Sequence, residues 1–160
     1  MNLILFDLGG TLIDDPFEEV LHMLYAECLE GCQSLSLERN DLADFFNYWR
    51  EENLKTDYPF ASHFLQEETW PIRGLMRLNR ARGVPPAAEI PLLSLTTLKR
   101  YRELARLQIS AQPQLPLLKE IFTWLKRVGA IIGVASNDRE FATKTMLIWA
   151  DLAEYLDWVH

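Results

Sequence analysis

Apolar and polar positions follow two patterns along this chain of 160 residues. Short unbroken apolar runs occur at Leu3 to Phe6 and at Ala130 to Ala135, and such runs are typical of strands covered on both faces. Most of the remaining chain repeats apolar residues every three or four positions, which predicts amphipathic helices. Near the end, Leu156 to His160 predicts the start of a third strand.

Capping and helix-breaking residues divide the helical stretches. Asp15 and Pro16 predict the start of a first helix that Gly31 ends, and Ser36 is a candidate cap for a second helix. A third helix is predicted from about Phe60, with a break at Trp70-Pro71, and a fourth from Pro91 to about Leu107. A fifth starts at Pro113 and Pro116 and continues to about Arg127, where Gly129 ends it. A sixth is predicted from about Glu140 to Asp151. The apolar stripes of the first, second and fourth helices are Phe17, Val20, Leu21, Leu24, Cys28 and Leu29; Leu42, Phe45, Phe46 and Trp49; and Leu95, Leu98, Tyr101, Leu104 and Ala105.

The order of these elements predicts the fold class. A strand, a long helical insertion, a helix, a strand, a helix and a strand are typical of an α/β protein with a Rossmann-like parallel sheet. We therefore expect residues 1–14 and 109–160 to form the core and residues 15–108 to form an inserted helical domain.

Composition narrows the classes of partner. The net charge of −7 and the isoelectric point near 5.0 argue against nucleic acid as a partner. We expect no membrane partner and a cytoplasmic location, because the chain has no membrane-length apolar run and no basic leader before its first strand. Two cysteines, Cys28 and Cys32, with only three histidines elsewhere in the chain do not predict a zinc site or a disulfide framework.

The first strand ends in residues suited to anion chemistry. Asp7 follows it directly, and Gly9-Gly10-Thr11 supplies positive φ angles and backbone N–H groups beside that carboxylate. Ligands of open α/β sheets bind beyond the carboxyl ends of the strands, so we expect a phosphate or similar anion here.

These residues resemble the haloacid dehalogenase (HAD) superfamily of hydrolases. Phe6-Asp7-Leu8-Gly9-Gly10-Thr11 is similar to its first motif, an apolar strand followed by Asp-x-x-Gly-Thr. Ala130 to Asn137 is similar to its second motif, an apolar strand that ends in Ser or Thr. The insertion at 15–108 has the length and helical character of the family's cap, so the resemblance covers essentially the whole chain.

The resemblance implies a role for each motif residue. Asp7 would be the nucleophile, and Thr11 and Ser136 would complete the catalytic set. The resemblance further implies a small phosphorylated substrate contacted by Leu8, Gly9, Gly10 and Asn137, and Mg²⁺ held by the Asp7 carboxylate and the Gly9 carbonyl. The same side chains also suit purely structural roles: Asp7 as a loop cap, Thr11 in a plain turn, and Ser136 or Asn137 as a helix N-cap.

Two departures from the family pattern leave the activity open. Gly9 stands where the family's phosphatases carry the Asp that acts as general acid, so we expect slow turnover unless Asp14, Asp15 or a cap residue replaces it. The family's later Lys and acidic-pair motifs have no counterpart before His160, and Lys144 lies on an intervening helix. The alternatives are therefore a dehalogenase-type displacement at carbon and a catalytically inactive binding or regulatory protein.

The short sheet carries a further expectation. With only three strands, Leu3 to Phe6 would be an edge strand with an unpaired ladder and an apolar face. We expect such a chain to be marginally stable, to bind magnesium weakly and to associate with itself through this edge.

Overall fold

The computed structural model describes residues 2–30, 38–54, 63–85, 90–137 and 140–159. Its elements in chain order are β1 (Asn2–Phe6), α1 (Phe17–Glu30), α2 (Arg39–Leu54), α3 (His63–Ala81), α4 (Ile90–Ser110), α5 (Leu115–Arg127), β2 (Ala130–Val134), α6 (Glu140–Trp149), a 3₁₀ turn (Ala153–Tyr155) and β3 (Trp158–Val159). Some predicted features lie outside the described residues. They are the helix end at Gly31, the helix cap at Ser36, and the residues Cys32, Phe60, Asp138 and His160.

The three strands form one parallel sheet in the order β1-β2-β3. Asn2 pairs with Ala130 and Phe6 with Val134, while Gly133 pairs with Trp158. The Asp157 carboxylate secures the short third strand by accepting a 2.9 Å bond from the Ile132 N–H. A contact from Lys126, and then this backbone bond, lowers the pKa of the Asp157 carboxyl. The predicted α/β fold with a parallel Rossmann-like sheet is confirmed.

One face of the sheet carries the core of this part of the chain. The face bearing Ile132 and Val134 packs against Phe122 of α5 and Leu147 of α6, all of which are buried. Phe6 of β1 joins this face, with its ring centre 5.2 Å from that of Phe122. Gly129 ends α5 with a φ of +76°, as the sequence predicts.

The expectation that the first strand is covered on both faces is wrong for the described residues. Leu3 and Leu5 are 60% and 52% exposed, because α5 and α6 both pack on the opposite face. Across this open face, a Cβ at Gly133 would lie 2.7 Å from the Leu5 side chain and 3.1 Å from that of Trp158. Only a glycine at position 133 leaves room for the side chains of Leu5 and Trp158 to pack this close to its backbone. β1 is an edge strand among the described residues, as predicted.

The helical insertion has its own buried interior. Leu42, Phe45, Phe46 and Trp49 of α2 are buried, as their spacing predicts. At Gly74 of α3 a Cβ would lie 3.2 Å from the Phe45 ring, so the small residue permits close packing of the two helices. The ends of the insertion are linked by the Glu27–Arg100 ion pair, which lowers the pKa of the Glu27 carboxyl.

Two details of the predicted helices are wrong. The helix does not break at Trp70-Pro71, because α3 continues from His63 to Ala81 with Pro71 buried inside it. Packing against α2 offsets the hydrogen bond that a proline removes from a helix. Leu95 was expected on the buried stripe of α4 but is 61% exposed. The other stripe residues of α4 are buried or half-buried. Before Leu98 the buried face of α4 includes the polar residues Ser94 and Thr97, which an apolar pattern does not detect.

The chain divides into two compact units, Met1–Glu18 with Ala105–His160, and Glu19–Leu104. The first holds the sheet, and the second holds most of the helical insertion. That the second unit acts as a cap over a site stays a prediction. No helix among the described residues combines the length and apolar character needed to cross a lipid bilayer.

Candidate functional site

The register of the sheet brings two predicted site residues to the same end of the sheet, where the carboxyl ends of β1 and β2 lie. Phe6 pairs with Val134 in parallel, and the Ala135 N–H continues the ladder with a 2.9 Å bond to the Phe6 carbonyl. Asp7 and Ser136 therefore follow the carboxyl ends of two adjacent strands. Ligands of open parallel sheets bind at this end of the sheet.

The loop after β1, residues 8–14, is built around one carbonyl oxygen. Leu8 O accepts N–H bonds from Thr11, Leu12 and Ile13 at 3.3, 3.0 and 3.1 Å. The side chains of Leu8, Leu12 and Ile13 are essentially fully buried in the core. The loop is thus anchored to the core by apolar side chains and held internally by backbone hydrogen bonds. Because the Leu8 side chain lies in the core, the substrate contact predicted for Leu8 is restricted to its backbone N–H.

The two glycines of this loop have different environments. Gly10 has a φ of +70°, a conformation that favours glycine, whereas Gly9 is not in the positive-φ region. Gly9 forms a parallel bridge with Ile13, made by the Ile13 N–H to Leu8 and the Gly10 N–H to Ile13. Such a bridge uses the groups that flank Gly9, so none of the backbone bonds among the described residues involves the Gly9 carbonyl. This oxygen is available to a ligand.

The predicted nucleophile and its neighbour are both accessible. Asp7 and Thr11 are exposed, and Thr11 Oγ1 lies 3.5 Å from Asp7 Oδ2, at the outer limit of a hydrogen bond. The hydroxyl is therefore a weak partner of the carboxylate, which is accessible to solvent. An exposed carboxylate with one weak partner is suited to attack on an electrophile.

The turn after β2, residues 135–137, is less enclosed. Ser136 is half-buried and Asn137 is exposed, and α6 begins at Glu140. Both residues lie before a helix N-terminus, so a substrate contact and a capping role are both open to them. Lys144, which the sequence offered as a weak substitute for the family's lysine, pairs with Glu140 on an exposed face of α6.

The donors for a magnesium ion are few. Among the residues that the structure describes, no three His, Cys, Asp or Glu side chains come together as a metal-binding cluster. The predicted pair, the exposed Asp7 carboxylate and the Gly9 carbonyl, nevertheless fits the ion, because magnesium commonly keeps several waters and takes one or two carboxylates plus substrate phosphate oxygens.

Two residues at the base of the loop have no counterpart in the sequence-based prediction. Gln112 hydrogen-bonds the backbone of Asp14, and Gln114 contacts its carboxylate. A glutamine on either side of Pro113 gives no sequence signal of contact with a residue almost a hundred positions earlier. Only the fold brings them together.

Comparison with known proteins supports the fold. No protein-family model and no curated protein sequence matches this chain. Among solved structures, the chain is similar to YfnB of Bacillus subtilis, which is described as a HAD-hydrolase and was solved bound to magnesium. The TM-score is 0.54 at 12% identity, over 99% of this chain and 63% of YfnB. The chain thus spans less than two thirds of the length of YfnB, and the similarity shows a HAD-like fold.

Proposed function

We propose that this protein is a HAD-like hydrolase that cleaves a small phosphorylated metabolite through an aspartyl nucleophile, Asp7. The observation that carries the proposal is the exposed Asp7 carboxylate at the end of β1, on a loop anchored by buried side chains and beside the end of β2. The anchored loop holds the backbone next to Asp7 in place, while the exposed carboxylate is accessible to a ligand. The HAD-like fold is consistent with this role.

The proposed chemistry has two steps. An Asp7 carboxylate oxygen attacks phosphorus, and a new O–P bond forms as the bond to the leaving-group oxygen breaks. Water then attacks the phosphoryl group, which frees the Asp7 carboxylate and releases inorganic phosphate. Thr11 orients Asp7, and the N–H groups of Leu8 and Gly9 together with Ser136 are suited to hold the phosphoryl oxygens, whereas the Gly10 N–H is already bonded to the Ile13 carbonyl. Asn137 is suited to contact the rest of the substrate.

Magnesium and the missing acid set the limits of this activity. A magnesium ion on the Asp7 carboxylate and the Gly9 carbonyl would neutralise negative charge on the phosphoryl oxygens. With Gly9 in place of a general acid, the leaving-group oxygen departs without a proton from that position. Substrates with an acidic leaving group, such as aryl phosphates, should therefore react faster than alkyl phosphates.

A second candidate function follows from the same glycine. Displacement of halide from carbon by Asp7 needs no acid on the leaving group, and the open space at Gly9 suits it equally well. Release of halide from a 2-haloacid would favour this function, and release of phosphate from an aryl phosphate would favour the first. Tight ligand binding without either reaction would favour a binding or regulatory protein.

The first experiment compares Asp7→Asn with Asp151→Asn in assays of p-nitrophenyl phosphate hydrolysis with magnesium. The two changes are chemically the same and lie in the same compact unit. Asp151 is an exposed residue with a φ of +55°, which asparagine also tolerates. We expect the Asp7 variant to lose all measurable activity while its melting temperature holds, and the Asp151 variant to keep its rate. Retention of most activity by Asp7→Asn would overturn the proposal.

A further inference from the structure

A small side-chain network holds the far end of the loop after β1. The Asp14 N–H donates to Gln112 Oε1 at 3.1 Å, and Gln112 Nε2 donates to the Asp14 carbonyl at 2.8 Å. Gln114 Nε2 donates to Gln112 Oε1 at 2.9 Å and to Asp14 Oδ2 at 3.3 Å. The three residues are therefore joined by four hydrogen bonds, three of which cross a separation of 98 or 100 positions.

The Gln112 side chain makes the two hydrogen bonds to Asp14 that a paired residue of a neighbouring strand would make. Its Oε1 faces two donors and its Nε2 faces an acceptor, so the reverse amide orientation would set N–H against N–H. The Asp14 backbone thus sets which way the Gln112 amide points, and the bond from Gln114 adds to that preference.

The loop needs this support because of how its own bonds are arranged. Its internal backbone bonds meet at Leu8 and at Ile13, and none of them reaches beyond Ile13. Asp14 is the next residue, and the α1 cap follows at once, with the Phe17 N–H bonded to Asp15 Oδ1 at 3.0 Å. The Gln112 amide ties the loop's outgoing end to the segment that begins α5.

We propose that Gln112 is a positioning residue for the loop that carries Gly9, Gly10 and Thr11, and that Gln114 reinforces the orientation of the Gln112 amide. The contact is made far from the reacting carboxylate in sequence and acts through the backbone of Asp14. Its effect on turnover rests on the proposed function, whereas its effect on the loop does not.

The test uses Gln112→Met, which keeps the length of the side chain and removes both bonds to Asp14. Gln114→Met is the milder variant, since it leaves those two bonds in place. Lys119→Met is the control, because it breaks a surface ion pair with Asp151 in the same unit. Amide hydrogen exchange is followed by NMR at Leu12 and Ile13, whose N–H groups bond Leu8 and not Gln112.

We expect Gln112→Met to speed exchange at Leu12 and Ile13 by about tenfold, the scale of one or two lost hydrogen bonds. Gln114→Met should have a smaller effect in the same direction, and Lys119→Met should have none. In phosphatase assays Gln112→Met should lower kcat more than it changes KM, because the loop holds the reacting groups rather than the whole substrate.

Unchanged exchange at Leu12 and Ile13 in Gln112→Met would overturn the proposal, as would an equal rise in Lys119→Met. If Gln112→Met fails to fold, faster exchange in Gln114→Met alone supports the proposal, and unchanged exchange there refutes it. Faster loop exchange together with an active Asp7→Asn variant would keep the positioning role and reject the proposed nucleophile, so the two claims fail separately.

Discussion

The loop after β1 and the turn after β2 both begin at the carboxyl end of the sheet, but they are built differently. The loop has three buried apolar side chains, three N–H bonds to Leu8 and a pair of bonds to Gln112. The turn consists of the exposed Ala135, the half-buried Ser136 and the exposed Asn137. Under the proposed function, this difference implies a division of labour in which the loop would position the reacting group and the turn would supply a contact that can be replaced. Changes in the loop should therefore have larger effects than changes in the turn.

The largest gain is expected from Gly9→Asp. A Cβ at Gly9 meets nothing within 4 Å and Gly9 is not in the positive-φ region, so the loop accepts a side chain there. An acid at this position should raise the rate on an alkyl phosphate by about 10²-fold, within the usual range for general acid catalysis. The gain on p-nitrophenyl phosphate should be much smaller, since that leaving group needs no proton.

The neighbouring glycine provides the control for this gain. Gly10→Asp adds the same carboxylate one residue away, at a positive φ that an aspartate also adopts at Asp151, so it serves as a control for position. It should give no gain on the alkyl phosphate. A similar gain from both variants, or equal gains on both substrates, would show that the added carboxylate does not act as a leaving-group acid.

Ser136→Ala measures the contribution of the turn. Loss of one hydrogen bond to a charged phosphoryl oxygen should lower kcat/KM by about tenfold. Asn137→Ala, at the exposed neighbour, should cost less. Steady-state kinetics with magnesium at saturation would measure both. A loss in Ser136→Ala as complete as that in Asp7→Asn would contradict the division of labour.

The stability of the loop gives a further comparison. Gly10→Ala should lower the free energy of unfolding by about 1–2 kcal/mol, because its φ of +70° is unfavourable for a residue with a Cβ. Gly9→Ala should change it by less than about 1 kcal/mol. Urea denaturation of the two variants measures the difference. Equal values would mean that the backbone of the loop is not held in the described conformation.

The smallest expected effect concerns the open face of the sheet, away from the loop and the turn. We expect the wild-type chain to associate at high concentration through the β1 edge, where Leu3 is exposed. Leu3→Lys should weaken this association without changing kcat, because a charge at an edge strand opposes pairing. Sedimentation velocity over a concentration series would detect it. A wild-type chain that stays monomeric throughout would refute the expectation.

Local patterns in the sequence predicted much of the fold. The buried stripe of α2, the stop at Gly129 and the parallel α/β order are confirmed because each depends on residues close together in sequence. The errors arise where packing decides. Pro71 stays within α3 because α2 packs against that helix, and Leu5 is exposed because α5 and α6 share the other face.

The candidate site shows the same limit. A strand followed by Asp7 and two glycines was visible in the sequence, and it predicted the positive φ that Gly10 adopts. Which glycine accepts a side chain depends on backbone angles that two adjacent glycines do not reveal. The contact of Gln112 with Asp14 depends on two segments meeting in the folded chain, so no local pattern could predict it.

The most direct test of the account is to trap the phosphoryl group on Asp7. The protein would be mixed with p-nitrophenyl phosphate and magnesium, quenched in acid within the first turnover and reduced with borohydride, which converts an aspartyl phosphate into homoserine. Peptide mass spectrometry then locates the modified residue. We expect homoserine at position 7, and none in the Asp7→Asn variant. Phosphate release with an unmodified Asp7, or with the modification at Asp14 or Asp15, would contradict the account.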